Sequence, residues 1–135
     1  MRNREKKEKQ CLNCGNDIPN RNVYCNNKCQ SEYYHKQSIE KWLKGESIMN
    51  EGSIIISRHI RKYLFDLHDS KCQQCGWGEI NPYTNNIPLE VEDCDGDSQN
   101  NKIENLKLLC PNCHSLTETY KNIGSRKSTR LKRKK

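Results

Sequence analysis

The chain has 135 residues, including 9 Cys, with 24 Lys and Arg against 17 Asp and Glu, for a formal net charge of +7. Leu, Ile, Val and Phe total 24, under a fifth of the chain, and the mean hydropathy is −1.13. So few core formers cannot offset chain entropy unless something else staples the fold. No apolar run approaches the ~20 residues of a membrane helix, and a large enzyme with a deep hydrophobic pocket is excluded as well.

The charge sits at the ends. Residues 1–9 carry five bases against Glu5 and Glu8. Residues 125–135 hold Arg126, Lys127, Arg130, Lys132, Arg133, Lys134 and Lys135 and no acid. The intervening body, 10–124, is therefore about −3. Basic arms on such a body suit a polyanion bound through counterion release, or serve merely as a solubilising tail.

Domain by domain, the expected organisation is a basic arm (1–9), a four-cysteine finger with a helix (10–44), a linker (45–53), a second four-cysteine domain (54–124) and a basic tail (125–135). Cys11-x2-Cys14 is followed after ten residues by Cys25-x3-Cys29. The Asn and Gly residues around that first knuckle are turn formers. From Lys28 to Lys44 there is no Gly or Pro, and Tyr33, Ile39, Trp42 and Leu43 recur at roughly helical spacing, which predicts a helix. Gly45 to Ser53 reads as linker. Ser57 to His68 predicts a second helix with Ile60, Leu64 and Leu67 as its stripe and Arg58, Arg61 and Lys62 on other faces. Those three cations either contact phosphates or form a solvated face.

Cys72-x2-Cys75 comes next and is matched by Cys110-x2-Cys113. Close pairs bridge one another poorly but chelate one ion readily, so two structural Zn2+ sites are expected. The charged start of the chain lacks the character of a signal peptide, so disulfides are not indicated and a cytoplasmic protein is expected. Ile87 to Val91 alternates and predicts an edge strand, Leu106 to Leu109 a second strand, and Pro111 opens a helix to about Tyr120. The fold class expected is α+β.

Residues Leu89 to His114 (LEVEDCDGDSQNNKIENLKLLCPNCH) resemble the core of the HNH endonucleases, the ββα-metal or His-Me finger nucleases. The landmarks are Asp95-Gly96-Asp97, Asn100-Asn101, Glu104-Asn105-Leu106 and Cys110-Pro111-Asn112-Cys113-His114, with Cys72 to Gly78 upstream. The likeness covers residues 54–123. The first zinc module resembles the accessory finger of some such proteins. The resemblance implies metal-dependent DNA phosphodiester hydrolysis leaving 5′-phosphate and 3′-hydroxyl ends, on a core that engages the minor groove side. It implies one catalytic divalent cation, Mg2+, Mn2+ or Ni2+, with Glu92 and His114 as ligands and Asn105 as the scaffolding Asn.

The chain departs from that pattern where chemistry depends on it. The general-base place, a His in the family, is Asp93. An ordinary Asp has a pKa near ~3.9 against roughly 6.5 for His, and is a poor proton acceptor. Either Asp93 joins Glu92 on the metal, or the chain is a non-catalytic DNA-binding protein on a decayed nuclease scaffold. A zinc-stabilised protein-interaction adaptor is a third reading, disfavoured by the basic arms. Glu90, Asp95 and Asp97 read as a solvated strand edge and turn, and Cys94 as a small buried filler. His35, His59 and His68 read as surface or helix residues. Tyr33, Tyr34 and Trp42 are expected in the core of the finger, and Trp77 over the second zinc site.

Overall fold

The computed structural model describes residues 8–49 and 55–122. Strands β1 (Glu8–Gln10) and β2 (Asp17–Pro19) pair antiparallel and flank the first cysteine knuckle. Helices α1 (Asn27–Leu43) and α2 (Arg58–Leu67) follow. The second knuckle precedes β3 (Glu90–Asp93), a 3-10 turn at Ile103–Asn105, β4 (Leu106–Leu109), α3 (Pro111–Ser115) and a 3-10 turn at Tyr120–Asn122. β3 and β4 are antiparallel, with Glu92 opposite Lys107 and Asp93 opposite Leu106.

The two knuckles are built alike. In each, the first cysteine's carbonyl accepts from a glycine N–H four residues on: Gly15 to Cys11 and Gly76 to Cys72, both 2.9 Å. Those glycines take φ of +76° and +77°, the left-handed region in which a Cβ is strained. The same cysteines donate back to Asn16 O (2.8 Å) and Trp77 O (2.7 Å), closing the loop. Each second pair lies at a helix start. Asn26 caps α1 by accepting from Cys29 N at 2.9 Å, and Cys110 caps α3 with Pro111 at its first turn.

Helix ends follow the expected signals. Gly45, at φ +91°, closes α1 by donating to Trp42 O, and Ser57 Oγ accepts from His59 N to start α2. Leu43 and Leu67, placed on apolar stripes by spacing, are exposed, while Ile39 and Trp42 of α1 and Ile60 and Leu64 of α2 are buried. These four residues share one cluster with Leu106. A second cluster gathers Leu89, Leu108 and Leu109 with Cys72, Cys110 and Cys113, and Val91 packs against both.

Three elements differ from expectation. β3 starts at Glu90, not Ile87, because Pro88 brings no N–H and the ladder with β4 begins opposite Leu109. α3 ends at Ser115 instead of continuing to Tyr120, and the chain then turns so that Thr117 reaches back to His114 O. Cys94 is exposed rather than a buried filler. It follows the end of β3, where its N–H bonds Asn105 O, and its side chain leaves the sheet. Trp77 packs against the second zinc cluster as expected. None of the described helices is long and apolar enough to cross a membrane.

Candidate metal centre

Cys11, Cys14, Cys25 and Cys29 form one group, and Cys72, Cys75, Cys110 and Cys113 another, with all four Sγ atoms of each within 4.8 Å of one another. The sulfurs at 3.4 Å (Cys14–Cys25) and 3.7 Å (Cys75–Cys110) are far beyond the ~2.05 Å of a disulfide. Both quartets fit structural zinc. Their electrostatics match as well as their geometry. Burial raises the Cys11 and Cys72 thiols, but backbone N–H groups, from Cys14, Asn13 and Cys25 in one case and Cys110, Cys75 and Gln74 in the other, outweigh it and hold each at about 6. Cys25, contacting Cys14, and Cys113, desolvated beside Cys110, are pushed up to about 12. Each site therefore offers one ready thiolate and a neighbour that ionises only when a cation offsets the repulsion.

A different cluster forms where β3 meets α3. Strand alternation puts Glu90 and Glu92 on one face, and His114, directly after zinc ligand Cys113, stands against them. His114 Nδ1 is 2.7 Å from Glu92 Oε2, and its Nε2 is 3.1 Å from Glu90 Oε2. Glu92 is 6% exposed, the buried charged residue among the described residues. Its other oxygen accepts from Thr119 Oγ1 at 2.5 Å. Thr117 Oγ1 lies 3.1 Å from that oxygen and 2.9 Å from His114 O, and its single proton serves one at a time. Tyr120 meets the His114 ring edge-on at 5.2 Å.

Although Glu92 Oε2 is 2.7 Å away, His114 Nδ1 is buried and makes no hydrogen bond. A buried nitrogen and a buried carboxylate that converge without bonding suit two ligands of one cation. With metal–ligand bonds of about 2.0–2.2 Å, neighbouring donors stand roughly 3 Å apart. Glu92 and His114 Nδ1 fit a divalent ion, while the exposed Glu90 carboxylate meets the other ring nitrogen, Nε2.

Asp93 lies elsewhere. Alternation sends its side chain to the opposite side of β3 from Glu92, away from the face on which His114 stands. Burial, then the neighbouring Glu92 charge, pushes its carboxyl above the usual range. Asn105 organises the loop beyond β3: its amide donates to Asp95 Oδ1 (3.0 Å) and Asn100 O (2.8 Å) and accepts from Asp95 N (3.0 Å). Asp95 also accepts from Asn100 Nδ2 (2.6 Å) and Asp97 N (2.9 Å), which hold its carboxyl below the usual range.

Of the candidate phosphate-binding cations, Arg58 and Lys62 are exposed, Lys62 beside Asp66 at 2.6 Å. Arg61, also exposed, is engaged with the protein: it donates to Leu89 O at 2.8 Å and lies 5.0 Å over the Phe65 ring, bracing the approach to β3. Arg126, Lys127, Arg130, Lys132 and Arg133 lie outside the described residues. Sequence reasoning missed Glu90, Thr117 and Thr119 as neighbours of the pair. The i, i+2 relation to Glu92 was a signal for Glu90; the threonines had none, because a turn after a short helix brings them round.

Fold and site define a zinc-stapled α+β protein with two cysteine quartets and an acid–histidine centre beside the second. Residues 6–56 match the DUF2116 family, described as "Probable treble clef", and the knuckle, hairpin and helix carrying the first quartet have that form. The chain is 38% identical over 112 residues to the H-N-H endonuclease F-TflIV of Escherichia phage T5, covering 79% of this chain and 42% of the phage protein. It is thus a homologue of an HNH endonuclease and spans less than half of that relative's length. No solved structure matches it.

Proposed function

We propose that the chain is a metal-dependent DNA endonuclease of the HNH type. The observation that carries this reading is the convergence of buried Glu92 and His114 Nδ1 at 2.7 Å without a hydrogen bond, next to a zinc quartet. A divalent cation, Mg2+, Mn2+ or Ni2+, held there would stabilise charge on the scissile phosphate and the departing 3′ oxygen. Thr119 anchors one Glu92 oxygen so that the other faces His114. Cys113, as a structural zinc ligand, locks the backbone that carries His114. Asn105 holds the loop that ends β3. Asp93 stands at the general-base position but on the other side of β3 from Glu92 and His114, so the attacking water loses its proton with less help than a His would give. This leaves the reaction slower, by up to about 10²–10⁴, the usual worth of general-base catalysis. The basic arms add sequence-independent affinity.

A second reading, a DNA-binding protein that no longer cuts, is favoured by Asp93 facing away from the Glu92–His114 pair. Nicking of supercoiled plasmid with each cation separates the two. Cutting by the natural chain, abolished in His114→Ala, supports the enzyme. Cutting seen only in Asp93→His supports the decayed scaffold.

A further inference from the structure

Helices α1 and α2 enclose a feature that the metal centre does not use. His35 of α1 and His59 of α2 meet with their Nδ1 atoms 3.1 Å apart and ring centroids 5.3 Å apart. One proton shared between the two nitrogens makes this a neutral, directional bond joining the finger's helix to the second domain's first helix. The pair lies in an open groove of about 410 Å3 whose other lining residues are Ser31, Glu32 and Lys36 from α1 and Arg58 and Lys62 from α2.

The groove is electropositive, with three fixed cations and one acid. Glu32 accepts from Asn13 Nδ2 at 2.8 Å, and Lys36 donates to Asn13 Oδ1 at 3.0 Å, so the first zinc knuckle holds that rim. Lys62 pairs with Asp66, but both are exposed, and such a surface pair is weak and yields readily to a stronger anion. Arg58 makes no ion pair among the described residues, and its planar fork matches phosphate oxygens. A cation on the two imidazoles would sit among three positive side chains, which disfavours a metal chelate. The lining's aromatic rings are the two imidazoles, already paired with each other, and its rim is cationic, so the matching group is a phosphodiester of the backbone.

We propose that the groove between α1 and α2 seats a backbone phosphate of the nucleic acid, gripped by Arg58 and Lys62 from one helix and Lys36 from the other. The inference rests on the chain acting on DNA, and it adds a phosphate seat on a surface distinct from the Glu92–His114 centre. It gives the finger a role in holding the duplex, because one side of the seat belongs to each zinc-stapled part.

The test is fluorescence anisotropy of a labelled DNA duplex with the full zinc-loaded chain across a salt series. Each phosphate that the protein ceases to neutralise lowers the slope of log K against log[salt] by roughly 0.9. Arg58→Gln with Lys36→Gln should weaken binding about tenfold and reduce the slope by about one, while Lys44→Gln, exposed and outside the groove, leaves both nearly unchanged. Unchanged affinity and slope in the double variant, with intact zinc content and circular dichroism, would overturn the proposal. So would a third equivalent of Ni2+ or Zn2+ that His35→Ala abolishes while DNA affinity holds. Inorganic phosphate that competes at low millimolar concentration, with duplex affinity indifferent to the double variant, would mark a free-anion site and overturn it as well. The groove and the nuclease reading fail separately: a natural chain that cuts nothing but loses DNA affinity in the double variant supports the groove while removing the enzyme.

Discussion

Trp42 of α1 donates its indole N–H to the carbonyl of Asn101, 59 residues along the chain, at 2.6 Å. The bond fastens the finger's helix to the loop that Asn105 organises. Trp42 also shares its apolar cluster with Ile60, Leu64 and Leu106, residues of the second domain. Two segments that a linker separates in sequence therefore share a core. Chemical denaturation of the zinc-loaded chain should give one cooperative transition. Trp42→Ala should cost about 3–5 kcal/mol, the usual range for emptying a buried aromatic site. Two resolved transitions would contradict a shared core.

The largest fully buried side chains among the described residues are Ile60, Leu64, Leu89, Leu108 and Leu109. Each contributes about 1.5–3 kcal/mol, whereas a structural zinc contributes roughly 10–16 kcal/mol in small domains. Metal analysis should find two zinc ions per chain held by cysteine. Chelator should abolish the helical circular dichroism signal along with them, and a chelated chain that stays folded would contradict zinc stapling.

Two glycines in the second knuckle separate strain from collision. A Cβ at Gly76 meets nothing within 4 Å, but its φ of +77° is left-handed. Gly76→Ala should therefore cost about 1–2 kcal/mol. At Gly78 a Cβ would lie 2.6 Å from the backbone oxygen of Ser70, so the chain must move, and overpacking of this kind costs about 1–3 kcal/mol or more. Gly78→Ala should be the more destabilising of the two by thermal melting, with weaker zinc retention.

Burial lowers the pKa of both His35 and His59 below the usual 6.5, with His59 and Lys62 adding to the effect on His35 and Arg58 to that on His59. Asp66 pulls His35 the other way. In the window between the folded values and 6.5, the unfolded chain binds more protons than the native one, so stability rises with pH. The stability associated with the neutral pair is present above about pH 6.5 and is lost as pH falls through that window. Melting temperature of the free protein should drop over that range, and His59→Gln should flatten the dependence relative to the natural chain. An identical profile in the variant would contradict the pairing.

Thr119 and Thr117 hold Glu92 from the side away from His114. Partners of a metal ligand are typically worth 10–100-fold in affinity or activity. Thr119→Val should weaken cation-dependent nicking by about that factor without changing zinc content. Full activity in the variant would remove Thr119 from the site.

Most of the frame was legible because its signals are local. Cysteine spacing located both quartets, and the Gly- and Pro-free run from Lys28, Gly45 and Ser57 marked helix ends that lie within a residue or so of expectation. The hairpin of β1 and β2 escaped because its strands are three residues each and almost wholly exposed, with neither periodicity nor β-branched runs to announce them. The shared core escaped because a bond such as Trp42 to Asn101 has no local signature. In the centre, motif position brought Glu92 and His114 to notice. Only the pleat of β3, which puts the exposed Glu90 and the buried Glu92 on the histidine's face and Asp93 on the other, showed which acids face the histidine.

The central claim is that Glu92 and His114 together hold a divalent cation distinct from the two zinc ions. It is tested most directly by titrating the zinc-loaded chain with Mn2+ and following free Mn2+ by electron paramagnetic resonance. One bound Mn2+ per natural chain, lost in both Glu92→Gln and His114→Ala with zinc content unchanged, is the expected result. Equal Mn2+ binding by the natural chain and both variants, or none by any, would contradict it.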